Sequence, residues 1–144
     1  MKILKIIGIA VLALIAVIAI LFLASPKKGY YESSIVIEAP ADKVFRVVND
    51  MTIYNEWSPW HEIDPDATYK LDGPNEGPGA KLTWQSDHPD VGNGAMWIHD
   101  HTANEEVTYQ MHFEGYPSEP LARLVLDETD GGTNVKWTYE DENT

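Results

Sequence analysis

Cysteine is absent from the 144 residues, which rules out disulfides, zinc–thiolate sites and thiol nucleophiles. Its absence leaves the compartment open, because a disulfide-free domain folds on either side of a membrane. Positive charge is scarce as well: 10 Lys and Arg stand against 23 Asp and Glu, a net charge of −13. Beyond residue 25 the imbalance sharpens to 8 basic and 23 acidic residues, net −15. Such a surface repels phosphate backbones and anionic headgroups, so no nucleic-acid partner is expected. The chain also lacks a Gly-x-Ser-x-Gly elbow and a phosphate-binding glycine loop before a helix, and no catalytic triad suggests itself. No internal repeat is present, and the one low-complexity stretch is the leading apolar run.

Apolar residues are abundant but unevenly spread. The first 25 positions hold 21 of 63, leaving 42 for the 119 residues from Pro26 to Thr144. Ile6 to Ala24 is 19 residues of Ile, Leu, Val, Ala, Phe and one Gly without a charge. About 20 such residues span a hydrocarbon core of roughly 30 Å, so residues 1–25 read as a transmembrane anchor. A cleaved signal peptide is the competitor, but cuts after Ala24 or Ser25 would put Phe22 or Leu23 at −3, where a small residue belongs. Lys2 and Lys5 flank the amino end and Lys27 and Lys28 the other. The short basic amino end favours the cytoplasm, which places the acidic domain outside it at the cell membrane. Residues 26–29 form a tether, and residues 30–144 hold one small domain with enough apolar content for a core.

Within that domain, Tyr31, Ser33, Ile35 and Ile37 alternate with Glu32, Ser34 and Glu38, the pattern of a strand. Ala39-Pro40 opens a helix with Val44, Phe45 and Val48 on one side, ending at Asn49-Asp50. A second short helix is expected over Met51–Glu56, before the Trp57-Ser58-Pro59-Trp60 break. From there the pattern is strand: Thr68–Leu71, Ala80–Gln85, Ala95–His101, Val107–Phe113, Leu121–Leu126 and Val135–Tyr139, separated by Gly/Pro/Asn/Asp clusters. A two-residue turn at Ala103-Asn104 pairs Met96 with Met111 and Ile98 with Tyr109. It puts Trp97 opposite Gln110, His99 opposite Thr108 and His101 opposite Glu106 on the polar side. A turn at Asp130-Gly131 likewise pairs Leu126 with Val135 and Leu124 with Trp137. The fold class is therefore α+β: a curved antiparallel sheet with one aromatic-rich face that something must cover.

The order of elements resembles the helix-grip fold of the START-like superfamily, SRPBCC, and above all its membrane-anchored bacterial polyketide cyclase/dehydrase-like members. The resemblance is carried by Ile37-Glu38-Ala39-Pro40 with Val44-Phe45, Glu56-Trp57-Ser58-Pro59-Trp60 and Asp64-Pro65. Gly77-Pro78-Gly79-Ala80, Val91-Gly92-Asn93-Gly94 and Asp130-Gly131-Gly132-Thr133 continue it in order from Tyr31 to Tyr139. It implies a hydrophobic cavity for lipids, polyketides or other apolar ligands between the sheet and a C-terminal gripping helix. That helix is missing after the last strand. The expectation is either a truncated chain, or a trough over Tyr109, Met111, Leu124 and Trp137 covered by a homo-oligomer, a partner or membrane.

The candidate ligand-binding residues are Trp57, Trp60, Trp84, Met96, Ile98, Tyr109, Met111, Leu124 and Trp137. Trp57 and Trp60 read either as core packing or as a gating rim, since indole combines apolar area with one donor. Tyr139 shares the inward period of Trp137. His99 and His101, about 6.8 Å apart on one strand face, could bind a metal with His112 or Glu106, but solvated surface residues are the simpler reading. Asp100 is the one acidic side chain that the register points inward, opposite Val107, and a solvated turn position explains it better than acid–base chemistry. Trp97 points outward, and Glu140-Asp141-Glu142 reads as a solvated tail. No cofactor is expected. The residues favour a tethered module binding an apolar small molecule or lipid, with a cyclase/dehydratase-like enzyme or a ligand-free interaction module as alternatives.

Overall fold

A computed structural model describes residues 28–142. The expected membrane anchor lies outside the described residues, and among these no helix is long and apolar enough to cross a membrane. Strand β1 (Lys28–Ile37) leads into helix α1 (Ala41–Val48), a 3-10 turn (Met51–Ile53), and the short helices α2 (Tyr54–Trp57) and α3 (Pro59–Ile63). Six strands follow: β2 (Thr68–Asp72), β3 (Lys81–Gln85), β4 (Gly94–Thr102), β5 (Glu106–Phe113), β6 (Leu121–Thr129) and β7 (Gly132–Glu142). The expected second helix over Met51–Glu56 is thus split. Asp50 caps the 3-10 turn through Thr52 N–H at 2.8 Å, and Pro59 starts a separate turn where its missing N–H costs nothing.

All seven strands form one antiparallel sheet in the order β1-β7-β6-β5-β4-β3-β2. Helix α1 buries Ala41, Val44, Phe45 and Val48, an i, i+3, i+4, i+7 stripe, against the inner faces of β5, β6 and β7. Val107, Leu124, Leu126 and Val135 receive it. Each such side chain contributes about 1.5–3 kcal/mol by leaving water, so this half of the inner face is the stable half. Thr133 Oγ1 donates to the Ala39 carbonyl at 2.7 Å, joining the start of β7 to the entry of α1. At Gly132 (φ 136°) a Cβ would lie 2.1 Å from the Ile37 carbonyl oxygen, so only glycine lets the β6–β7 hairpin close against β1.

The registers of Met96 with Met111, Ile98 with Tyr109, Leu126 with Val135 and Leu124 with Trp137 are as the pattern implies. Beyond Ile98 the expectation fails. A β-bulge at His99 shifts the pairing to Asp100 with Thr108, His101 with Val107 and Thr102 with Glu106. The turn accordingly has three residues, with Asn104 at φ 63°, rather than two. Asp100 is therefore exposed, not inward, and His101 is the residue that turns toward α1. Its Nδ1 donates to Asn49 Oδ1 at 2.8 Å and its ring lies 5.6 Å from Phe45. The shift also parts the histidines that were weighed as ligands: His99 stays exposed, as the simpler reading had it, and His112 sits 3.8 Å from Glu119. Among the described residues no group of three or more ligating side chains could hold a metal ion. Nor is Glu140-Asp141-Glu142 a tail, since it continues β7 in register with Tyr30, Gly29 and Lys28.

Candidate ligand cavity

The half of the inner face that α1 leaves open contains a cavity of about 440 Å³. Its floor is the period-2 inward series of the sheet: Tyr69 on β2, Trp84 on β3, Met96 on β4, Met111 and Phe113 on β5, and Tyr139 on β7. Helices α2 and α3 contribute Tyr54 and Trp60 as a wall. The β3–β4 loop from Pro89 to Asn93 and the β5–β6 loop, with Tyr116 and Ser118, close the rim.

Close approach fixes the aromatic floor. A Cβ at Gly94 would meet the Trp84 ring at 2.5 Å and the His112 carbonyl oxygen at 2.6 Å, so glycine makes room for the indole. Trp84 and Phe113 then pack edge to face, 5.8 Å apart at 70°. The rim loops are held by polar side chains. Ser86 Oγ donates to Asp64 Oδ2 at 2.5 Å, tying the end of β3 to the chain after α3. Asn93 accepts from Ser86 N–H at 3.0 Å and donates through Nδ2 to Glu114 Oε2 at 2.6 Å, bridging the two loops.

Three phenols on the lining have raised pKa values. Burial pushes Tyr54 above the ordinary tyrosine range. Burial also raises Tyr69, with nearby Asp64 adding to the effect, and it raises Tyr139, where Asp141 and Tyr31 add. The carboxylates on the lining are Asp90, Glu114 and Asp141, and among the described residues no Lys, Arg or His lines the cavity. Such a wall can bind an apolar body and offer phenolic and carboxylate partners at its edge.

Of the residues singled out in the sequence, Trp60, Trp84, Met96 and Met111 line this cavity. Ile98, Tyr109 and Leu124 instead belong to the core beneath α1, where Tyr109 donates its hydroxyl to the Val48 carbonyl. Helix α1 therefore covers Tyr109 and Leu124, so the open trough that the sequence implies does not extend over them. Trp57 is exposed and supports the cavity indirectly, its ring packing edge-on against Tyr54 at 4.8 Å. Trp137, 39% exposed, lies on the open inner face of β7, 5.9 Å from Tyr139. Tyr54, Tyr69, Phe113 and the rim loops were missed. Period 2 could have supplied Phe113, two residues after Met111; the loops carry no periodic signal.

The family described as polyketide cyclase / dehydrase and lipid transport matches residues 30–142. Among solved structures, protein CV1439 from Chromobacterium violaceum is similar at 17% identity and TM-score 0.60, over 78% of this chain and 79% of that one. Norcoclaurine synthase from Thalictrum flavum is similar at 15% identity and TM-score 0.62, over 79% and 69%. The Aha1 dimer from Colwellia psychrerythraea follows at 14% identity and TM-score 0.54, over 77% and 75%. At these identities the likeness speaks for a shared fold alone. No curated protein matches the chain in sequence.

Proposed function

The chain belongs to the polyketide cyclase/dehydrase and lipid transport family, and from that premise we propose that it is a membrane-tethered module that binds an apolar small molecule or lipid on the concave side of its sheet. The observation that carries this reading is the cavity of about 440 Å³, floored by Trp84, Met96, Met111 and Phe113 and continuous with the core beneath α1. Its size suits a small organic ligand. Rim loops tied by the Asp64, Ser86, Asn93 and Glu114 bonds support a preformed mouth rather than one assembled on binding. Native mass spectrometry of the full chain, extracted gently from membranes, tests it. A stoichiometric small molecule released on unfolding is the expected result. A ligand-free protein that also binds no neutral hydrophobic dye would sink it.

A second reading is favoured by the strip next to the cavity, where Tyr31 is 64%, Ile35 66% and Trp137 39% exposed on the inner face. A strip of this kind supports an interaction module in which a second copy or another protein covers the sheet. Ligand-free protein recovered as a stable dimer or with a stoichiometric partner would favour that reading.

A further inference from the structure

The lining of the cavity is unusual in its charges, and this bears on the ligand. Seven aromatic rings face the space, among them Trp60, Trp84, Tyr69 and Tyr139. Around them stand three carboxylates and, among the described residues, no basic side chain. Asp141 comes from β7, whose inward period carries its side chain to the same face as Trp137 and Tyr139. One of its carboxylate oxygens, Oδ1, is buried without a hydrogen-bond partner. The hydroxyl of Tyr69, on the edge strand β2 across the cavity, is also buried and unpartnered. Unpaired buried polar atoms are costly, the more so on a charged group, and a ligand that supplies N–H donors or positive charge relieves them.

We infer that the occupant of this cavity carries a positive charge on its apolar body, as a protonated amine or quaternary ammonium group, with Asp141 and the aromatic faces as its receptors. The inference rests on the apolar-ligand reading and narrows it. A fatty acid or other anion would bring a fourth negative charge beside Asp90, Glu114 and Asp141, with no cation among the described lining residues to meet it. A neutral ligand without donors would fill the volume but leave the Asp141 oxygen unpaired. A cation over an indole or phenol face gains from the ring quadrupole, and more so when water is excluded. The same face that packs an alkyl or aryl body therefore also holds an ammonium group.

Calorimetric titration of the full chain in phosphatidylcholine nanodiscs, with empty discs as the blank, tests this with three probes of one shape. 1-Naphthylmethylamine is cationic at pH 7, 1-naphthalenemethanol is neutral and 1-naphthoate is anionic. The amine is expected to bind about tenfold more tightly than the alcohol, near one per chain and in competition with it, while naphthoate binds least. Asp141→Asn brings the amine down to the alcohol's affinity. Should that variant fail to fold by circular dichroism, Asp90→Asn, outside the strand pairing, is expected to lower the amine's preference in the same direction. An alcohol or naphthoate that binds as tightly as the amine overturns the charge inference and leaves the apolar cavity standing. An amine preference that survives both substitutions overturns the assignment of the carboxylates. Silence from all three probes overturns the inference and the ligand-binding reading together.

Discussion

The Tyr109 phenol is 3% exposed, and its hydroxyl donates to the Val48 carbonyl at the end of α1. Burial pushes its pKa far above the ordinary value of 10.0. Because the folded pKa is raised, the native state keeps a proton that the unfolded chain releases above pH 10. The tyrosine's contribution is therefore fully present below that pH and is lost progressively as pH rises from there toward the raised folded value. Tyr109→Phe is expected to cost about 1–2 kcal/mol at neutral pH, since the Val48 carbonyl loses its donor. The variant should also lose less stability than the parent between about pH 9 and 11. Urea melts at pH 7 and across that range check both outcomes, and an unchanged alkaline slope would mean that the phenol is not held neutral by the fold. That Tyr109 faces inward was legible from its pairing with Ile98. That it serves the core rather than the cavity was not, because periodicity assigns a face but cannot say which part of that face a helix will cover. The same limit separates Trp84, Met96 and Met111, which line the cavity, from Ile98 and Leu124, which do not.

Strands β4 and β5 show where a pattern of elements stops being readable. Alternation of apolar and polar residues set their register as far as Ile98, and the structure has those pairs. The bulge at His99 inserts one residue into one strand, and a period-2 reading carried across it exchanges the two faces. His101 thereby joins Phe45 and Asn49 under α1, while His99 stays in water. The two histidines make an internal control. His101→Ala should lower stability by about 1–2 kcal/mol, through the lost bond to buried Asn49 and the lost packing on Phe45. His99→Ala should change it by less than about 0.5 kcal/mol. Equal effects in chemical denaturation would argue against the bulge. The loops around the cavity were hidden for a different reason. Their order comes from single long-range bonds, such as Ser86 to Asp64 and Asn93 to Glu114, which leave no repeat in the sequence.

Across the whole molecule, composition divides the chain before any element is considered: an uncharged run from Ile6 to Ala24, then a domain of net −15. The family match begins at residue 30, and β1 begins at Lys28, so at most three residues separate the apolar run from the first strand. If that run is an uncleaved anchor, the tether holds the domain within a short distance of the bilayer surface, close enough for an apolar ligand to pass between the two. Orientation decides which surface. Lys2 and Lys5 flank the amino end of the run within a few residues, and such short basic flanks are retained in the cytoplasm. Lys27 and Lys28 pull the other way, and the α-amine beside Lys2 and Lys5 tips the count of basic groups in the short flanks toward the amino end. We therefore expect alkaline phosphatase fused after Thr144 to be active in bacterial cells, and a green fluorescent protein fusion at the same point to be dark. The reverse pair of outcomes would place the domain in the cytoplasm, and a mature amino terminus at Ser25 or Pro26 would replace the anchor with a cleaved signal. Neither result would alter the fold or the cavity, whose residues all come from Tyr54 onward.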